Sequence, residues 1–161
     1  MNLVVCNPLD GFSTCTPNLA MLLAVISSGG PGGNSSVNAG QADWFMASGA
    51  TNHMTGDRAL ISNLVPVSNQ VVQAGDGAGM LVCGRGSVNT ETVILPDVWY
   101  VPGLTMNLVS VGQLTGDPDL SVSMGGGMCR IRKTSDGSVL GRAPLRSNRK
   151  YVVDFLKVQR N

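Results

Sequence analysis

The sequence is short of charge, of aromatic side chains and of histidine. Only 13% of its 161 residues are charged and 4% are aromatic, and the formal net charge is +1. A chain so close to neutrality offers no electrostatic footprint for nucleic acid or an anionic membrane, so neither is expected as a partner. Basic residues do gather late, at Arg130, Arg132, Lys133, Arg142, Arg146, Arg149 and Lys150. They are spread along strand-like segments, which reads as solvated surface. The single histidine is His53, and the four cysteines (Cys6, Cys15, Cys83, Cys129) form no C-x-x-C pair. That excludes a zinc knuckle; no metal and no cofactor are expected, and the thiols read as reduced ones of an intracellular protein. Long apolar runs are lacking too. Leu19 to Ile26 falls far below the ~20 residues of a membrane span, and no basic residue precedes it as in a leader. With Thr16 as N-cap and Pro17 in the first turn, it is expected to be a short helix.

What the chain does have is 43% apolar residues, enough for a core, and 21 glycines. Frequent valines between glycine-rich turns predict an all-β domain with one or two short helices. The stretch Ser27 to Gly40, SSGGPGGNSSVNAG, can bury little and reads as a linker. Residues 1–43 are therefore set apart from a folded unit at 44–156, itself divided into a core at 44–114 and appended strands at 115–156, with a tail at 157–161.

Within that unit, apolar runs bounded by turn residues mark the strands. Trp44-Phe45-Met46 stops at the small cluster Ala47-Ser48-Gly49-Ala50, which suits a tight turn. Ile61 to Val67, Gln70 to Ala74, Gly84 to Val88, Thr92 to Leu95 and Asp97 to Val101 follow, the last two divided by Pro96. Gly75-Asp76-Gly77-Ala78-Gly79 between apolar flanks predicts a hairpin tip. Asn107 to Leu114 reads as a strand running into a short helix. Two more hairpins are expected, around Gly125-Gly126-Gly127 and near Ser147-Asn148. Met46, Met54, Met80 and Met106 fall on apolar segments as core or pocket filler.

The segment Trp44 to Asp57, WFMASGATNHMTGD, resembles the catalytic loop of copia-type retrotransposon proteases, W-x-x-D-[ST]-G-A-[ST]-x-H-M. Trp44, Ser48, Gly49, Ala50, Thr51, His53 and Met54 match, and the family's catalytic aspartate falls on Ala47. Three further segments keep the family order. Val71 to Val88 resembles its flap hairpin, Leu95 to Leu114 its L-x-D-V-L-Y-V-P…N-L-[LI]-S-V-x-Q-L stretch, and Val139 to Asp154 the run towards its pre-integrase region.

The resemblance implies a retropepsin-like acid-protease barrel with an extra C-terminal sheet segment, acting as a homodimer on an extended peptide or polyprotein. It implies a cytoplasmic or virus-like-particle setting. Each subunit would offer one loop, Ala47, Ser48, Gly49 and Ala50, to a site on the two-fold axis. Gly75 to Gly79 would form the flap, with His53, Leu108, Val109 and Ser110 behind the loop. Ser110 stands where retroviral relatives usually carry glycine, a change expected to be tolerated, and Ser48 would tie the two loops together.

Paired carboxyls of such proteases share a proton because both cannot ionise side by side. One then acts as general base on water and the other as acid, terms of ~10²–10⁴-fold each. Ala47 removes both, since in a homodimer both come from one position. Asp43, Asp57 and Asp76 read as turn or surface carboxylates that cannot stand in. Ser48 lacks the setting of a hydrolase nucleophile, and His53 reads as an orienting hydrogen-bond partner. Three readings are open at this point. They are a protease domain whose aspartate was replaced, a naturally inactive retrotransposon-derived domain that grips peptides, and an unrelated β-rich interaction domain.

Overall fold

A computed structural model describes residues 4–6, 43–73 and 78–159, the first group by its backbone. The expected helix at Leu19 to Ile26, the linker at Ser27 to Gly40 and the tip residues Gly75, Asp76 and Gly77 lie outside the described residues.

In chain order the strands are β1 (Val4–Cys6), β2 (Trp44–Ala47), β3 (His53–Thr55), β4 (Ile61–Pro66), β5 (Val71–Gln73), β6 (Gly79–Leu81) and β7 (Gly84–Asn89). They continue with β8 (Val93–Tyr100), β9 (Asn107–Ser110), β10 (Leu120–Gly125), β11 (Met128–Lys133), β12 (Val139–Pro144) and β13 (Phe155–Lys157). Among the described residues one α-helix, α1 (Val111–Thr115), and one 3₁₀ turn, Arg58–Leu60, complete an all-β fold.

Ten of these strands make one sheet, in the order β10-β11-β12-β13-β8-β3-β9-β2, with β7 also on β8 and β4 on β7. A second sheet of three runs β1-β5-β6. Hairpins account for the antiparallel pairs close in sequence. The link between β10 and β11 is Gly126-Gly127, both at positive φ (+60° and +75°), the backbone of a primed two-residue turn. Parallel pairs join distant stretches instead: β2 with β9, β3 with β8 and β8 with β13.

Pro96 does not end a strand as the sequence suggests. β8 runs through it from Val93 to Tyr100. Opposite, Val88 pairs with Leu95 and Gly86 with Val98, so Pro96 and Asp97 together face Ser87. This is a bulge, which frees the proline from ladder bonding and places Asp97 at φ +52°. A matching bulge lies in β4, where Asn63 (φ +56°) and Leu64 face Gly86. The chain end also differs from expectation: β13 reaches Lys157 and Val158 is buried, beyond the boundary drawn at 156.

Alternation along the central strands builds a core on each face of the sheet. Trp44, Met46, Val98 and Val109 point into a larger cluster with Val93, Leu95, Leu114, Cys129, Ile131, Ala143 and Leu156. Their neighbours Ala47, Met54 and Leu108 enter a second cluster with Val72, Val82, Val101 and Leu104, edged by Phe45, Met80, Trp99 and Met106. Met46 and Met54 are buried, and Met80 and Met106 half-buried at the rim.

Candidate functional site: the loop between β2 and β3

β9 lies between β2 and β3, parallel to the first and antiparallel to the second. The loop 48–52 that joins those two strands must therefore cross the C-terminal end of β9. The register sets Ala47 opposite Ser110 and Met46 opposite Val109, while Leu108 faces both Phe45 and Met54. Leu108, Val109 and Ser110 thus stand directly beside the segment the sequence marked as catalytic.

Side chains at both ends of β9 hold this crossing in place. At the loop end, the Ser110 hydroxyl donates to the Ala50 carbonyl at 2.6 Å and accepts from the Gln113 N–H at 2.9 Å. The second bond makes Ser110 the N-cap of α1. Its backbone N–H donates to His53 Nδ1 at 2.9 Å. Gln113 completes the circuit: its Oε1 accepts from the His53 N–H at 2.7 Å and its Nε2 donates to the Asp97 carbonyl at 3.1 Å. At the other end, Asn107 Oδ1 accepts from the Thr55 hydroxyl at 2.6 Å, and its Nδ2 donates to the Asp43 carbonyl at 3.3 Å. Thr55 Oγ1 accepts in turn from the Asp57 N–H.

Gly56 closes the β3 end. A Cβ there would sit 1.8 Å from the Leu104 carbonyl oxygen, so only glycine fits.

Within this frame Ala47 is 6% exposed, its methyl in the second core, and Ala50 is buried. Ser48 is exposed at the turn and Gly49 half-buried. His53 is 2% exposed, and burial pushes its pKa down to about 3. Its imidazole is neutral, with Nδ1 as acceptor and the proton on Nε2. That suits an orienting role rather than proton exchange near neutral pH.

Asp57 accepts from the Ala59 N–H as cap of the 3₁₀ turn, and Asp43 is exposed. Of the residues expected to form a flap, Ala78 and Gly79 are described and exposed, with Gly79 opposite Gln73 where β6 meets β5. Val72 of β5 is fully buried in the same core as Ala47, so the hairpin is rooted on the loop's own cluster.

The outer edge of β2 is covered as well. Met46 N–H donates to the Tyr151 carbonyl, Val153 N–H donates to the Trp44 carbonyl, and Phe45 bridges to Val152. Lys150 is buried there, its ammonium 5.5 Å from the centre of the Phe45 ring.

Sequence reasoning did not single out Gln113, Thr55 or Asn107, and it read Lys150 as solvated surface, whereas the structure buries this side chain against Phe45. Gln113 and Asn107 lay inside a matched stretch, and their signal was polarity at the two ends of an apolar strand. Among the described residues no group of three or more His, Cys, Asp or Glu side chains could hold a metal ion. Burial raises the Cys129 pKa to about 11, so this thiol is protonated and poorly nucleophilic. No helix among the described residues is long and apolar enough to cross a membrane. A cavity of about 760 Å³ is lined by Asp117, Asp119, Lys133, Leu140, Lys157 and Gln159 among others, and none of the loop residues borders it.

Residues 44–117 match the family described as Pol polyprotein, beta-barrel domain. The putative transposon Ty5-1 protein of Saccharomyces cerevisiae is 40% identical over 70 residues, which cover 44% of this chain and 48% of that protein. The chain thus spans about half the length of the curated relative it matches. No solved structure matches.

Proposed function

Taking residues 44–117 as a retrotransposon-polyprotein region of protease-like type, we propose that the chain is a polyprotein-processing aspartic endopeptidase domain in inactive form, with Ala47 at the position of the dyad aspartate. The observation that carries this reading is the crossing of loop 48–52 over the end of β9, pinned by Ser110, His53 and Gln113. Such a frame fixes a short Ser-Gly-Ala loop without contributing any acid or base of its own. A carboxylate at position 47 would stand at the end of β2, at the entrance to the loop.

In the working form two chains meet at this loop, each supplies one carboxyl, and an extended peptide lies between them under the β5–β6 hairpin. Ser48, exposed at the turn, then ties one loop to its partner. The two carboxyls would share one proton at rest: the ionised one takes a proton from the attacking water, the protonated one gives its own to the carbonyl oxygen, and a carboxyl proton later passes to the amine as the C–N bond breaks. The Ala47 chain lacks both groups and leaves peptides intact. An intracellular or particle-enclosed setting belongs to the same proposal.

The test is peptide cleavage by the Ala47→Asp variant beside the parent chain, on a peptide spanning a polyprotein junction. The variant is expected to cut, with at least ~10⁴-fold more activity than the parent, and a pepstatin-type inhibitor should stop it. A folded, dimeric variant that leaves the junction uncut would sink the endopeptidase reading. A second reading, a retrotransposon-derived module that grips extended peptides without cutting, is favoured by one specific observation: β5 already accepts a third strand along its outer edge.

A further inference from the structure

One edge of β5 is used by β6. The other carries β1 in antiparallel register, with Val4 opposite Gln73, Val5 opposite Val72 and Cys6 opposite Val71. This is strand addition, the mode by which a sheet edge takes up an extended peptide through main-chain hydrogen bonds. The strand that fills it comes from the chain itself, with 64 residues, 7–70, between β1 and β5.

We propose that the outer edge of β5 is an acceptor for extended, β-branched peptide segments, and that residues 4–6 occupy it in cis, so that an outside peptide must displace them. Two features of β5 suit it to this. Val72 is fully buried in the core that holds Ala47, which fixes the edge relative to the loop. An exposed strand edge presents unpaired N–H and carbonyl groups that seek a partner. The occupant has the matching composition: Leu3-Val4-Val5-Cys6 is apolar with two β-branched residues. A three-residue pairing is weak on its own. Covalent attachment makes it intramolecular, at an effective concentration on the order of millimolar. An outside peptide of low affinity then loses the competition, and one that engages more of the site wins it. The proposal draws on the peptide-handling reading above only for the nature of the outside ligand.

The experiment uses the full chain with the single change Val71→Cys. Residues directly opposite in an antiparallel pair have Cα atoms ~4.5–5.5 Å apart, within the range a disulfide spans. Under mild oxidation the thiol introduced at position 71 is expected to couple to Cys6 at least tenfold more than to Cys15. Adding Val4→Pro and Val5→Pro, which remove ladder donors, should abolish that preference. In parallel, a fluorescein-labelled peptide of sequence Asn-Leu-Val-Val-Cys-Asn should bind the Val4→Pro/Val5→Pro chain at least tenfold more tightly than the parent. Equal coupling of Cys6 and Cys15, or equal peptide affinity for the two chains, overturns the proposal. The two failures separate cleanly. An Ala47→Asp chain that cuts while Cys6 shows no preference sinks self-occupancy alone. One that never cuts while Cys6 couples selectively sinks the endopeptidase reading alone.

Discussion

His53 couples the loop to pH through its burial. Its folded-state pKa, about 3, lies below the 6.5 of the free side chain. Between these values the unfolded chain binds the proton and the folded one does not, so protons favour unfolding. The stability tied to the neutral imidazole is thus fully present above pH 6.5. It falls as the pH drops from 6.5 towards 3, by up to ~1.4 kcal/mol per pH unit. Urea midpoints measured from pH 7 to pH 4 should show this slope. His53→Asn keeps an acceptor near the Ser110 N–H but cannot titrate, so its midpoint should fall less steeply over that interval. Equal slopes in the two proteins would mean that His53 is not buried as described. Ser110 belongs to the same scale. Its hydroxyl serves both the Ala50 carbonyl and the Gln113 N–H, two bonds that a glycine at this position could not make. Ser110→Ala should cost ~2–4 kcal/mol in denaturant unfolding, the sum of a lost helix cap and a buried carbonyl left unpaired.

At the level of elements, the close approaches of the backbone decide which turns tolerate change. Gly56 abuts the Leu104 carbonyl, whereas a Cβ on Gly125, at the tip of the β10–β11 hairpin, would meet nothing within 4 Å. Gly56→Ala should therefore cost more than ~3 kcal/mol or prevent folding, while Gly125→Ala should stay within ~0.5 kcal/mol of the parent. Thermal melts of the two variants side by side check this; similar melting temperatures would contradict the packing at Gly56. Local chemistry of this kind was largely readable from the residues. The Gly126-Gly127 turn, the passage of Asn107–Ser110 into α1 and the small-residue loop after β2 all follow from short-range preferences. Pro96 misled because a proline can sit in a bulge as well as at a strand end, and only the opposite strand distinguishes the two. The hydrogen bonds of Ser110, Gln113 and His53 were invisible for a related reason. His53 and Gln113 are 60 residues apart, and nothing in either neighbourhood specifies the other until β9 enters between β2 and β3.

On the scale of the whole molecule, the parallel pairs make the matched segment depend on the residues that follow it. Residues 44–117 carry the family resemblance, yet one edge of β8 is taken by β7 and the other is shared, its late half by β3 and its early half by β13. Leu156 pairs with Val93, and its N–H donates to the Thr92 carbonyl. It is fully buried in the larger core, together with Ile131 and Cys129 of β11 and with Trp44, Val98 and Val109 of the central strands. The late strands share that core. One consequence is cooperativity: no apolar interior belongs only to residues 115–158, so the two regions should unfold as one unit. Leu156→Ala opens a cavity in the shared core and should cost ~2–5 kcal/mol. The loss should register equally in a late-region probe and in the loop, far away in sequence. Hydrogen exchange of the Ser110 amide, bonded to His53, and of the Leu156 amide gives those two readings. Both should speed up by the same factor under conditions of global opening. If only the Leu156 amide responds, the late strands open independently, and the segment matching the transposon family is a separate folding unit.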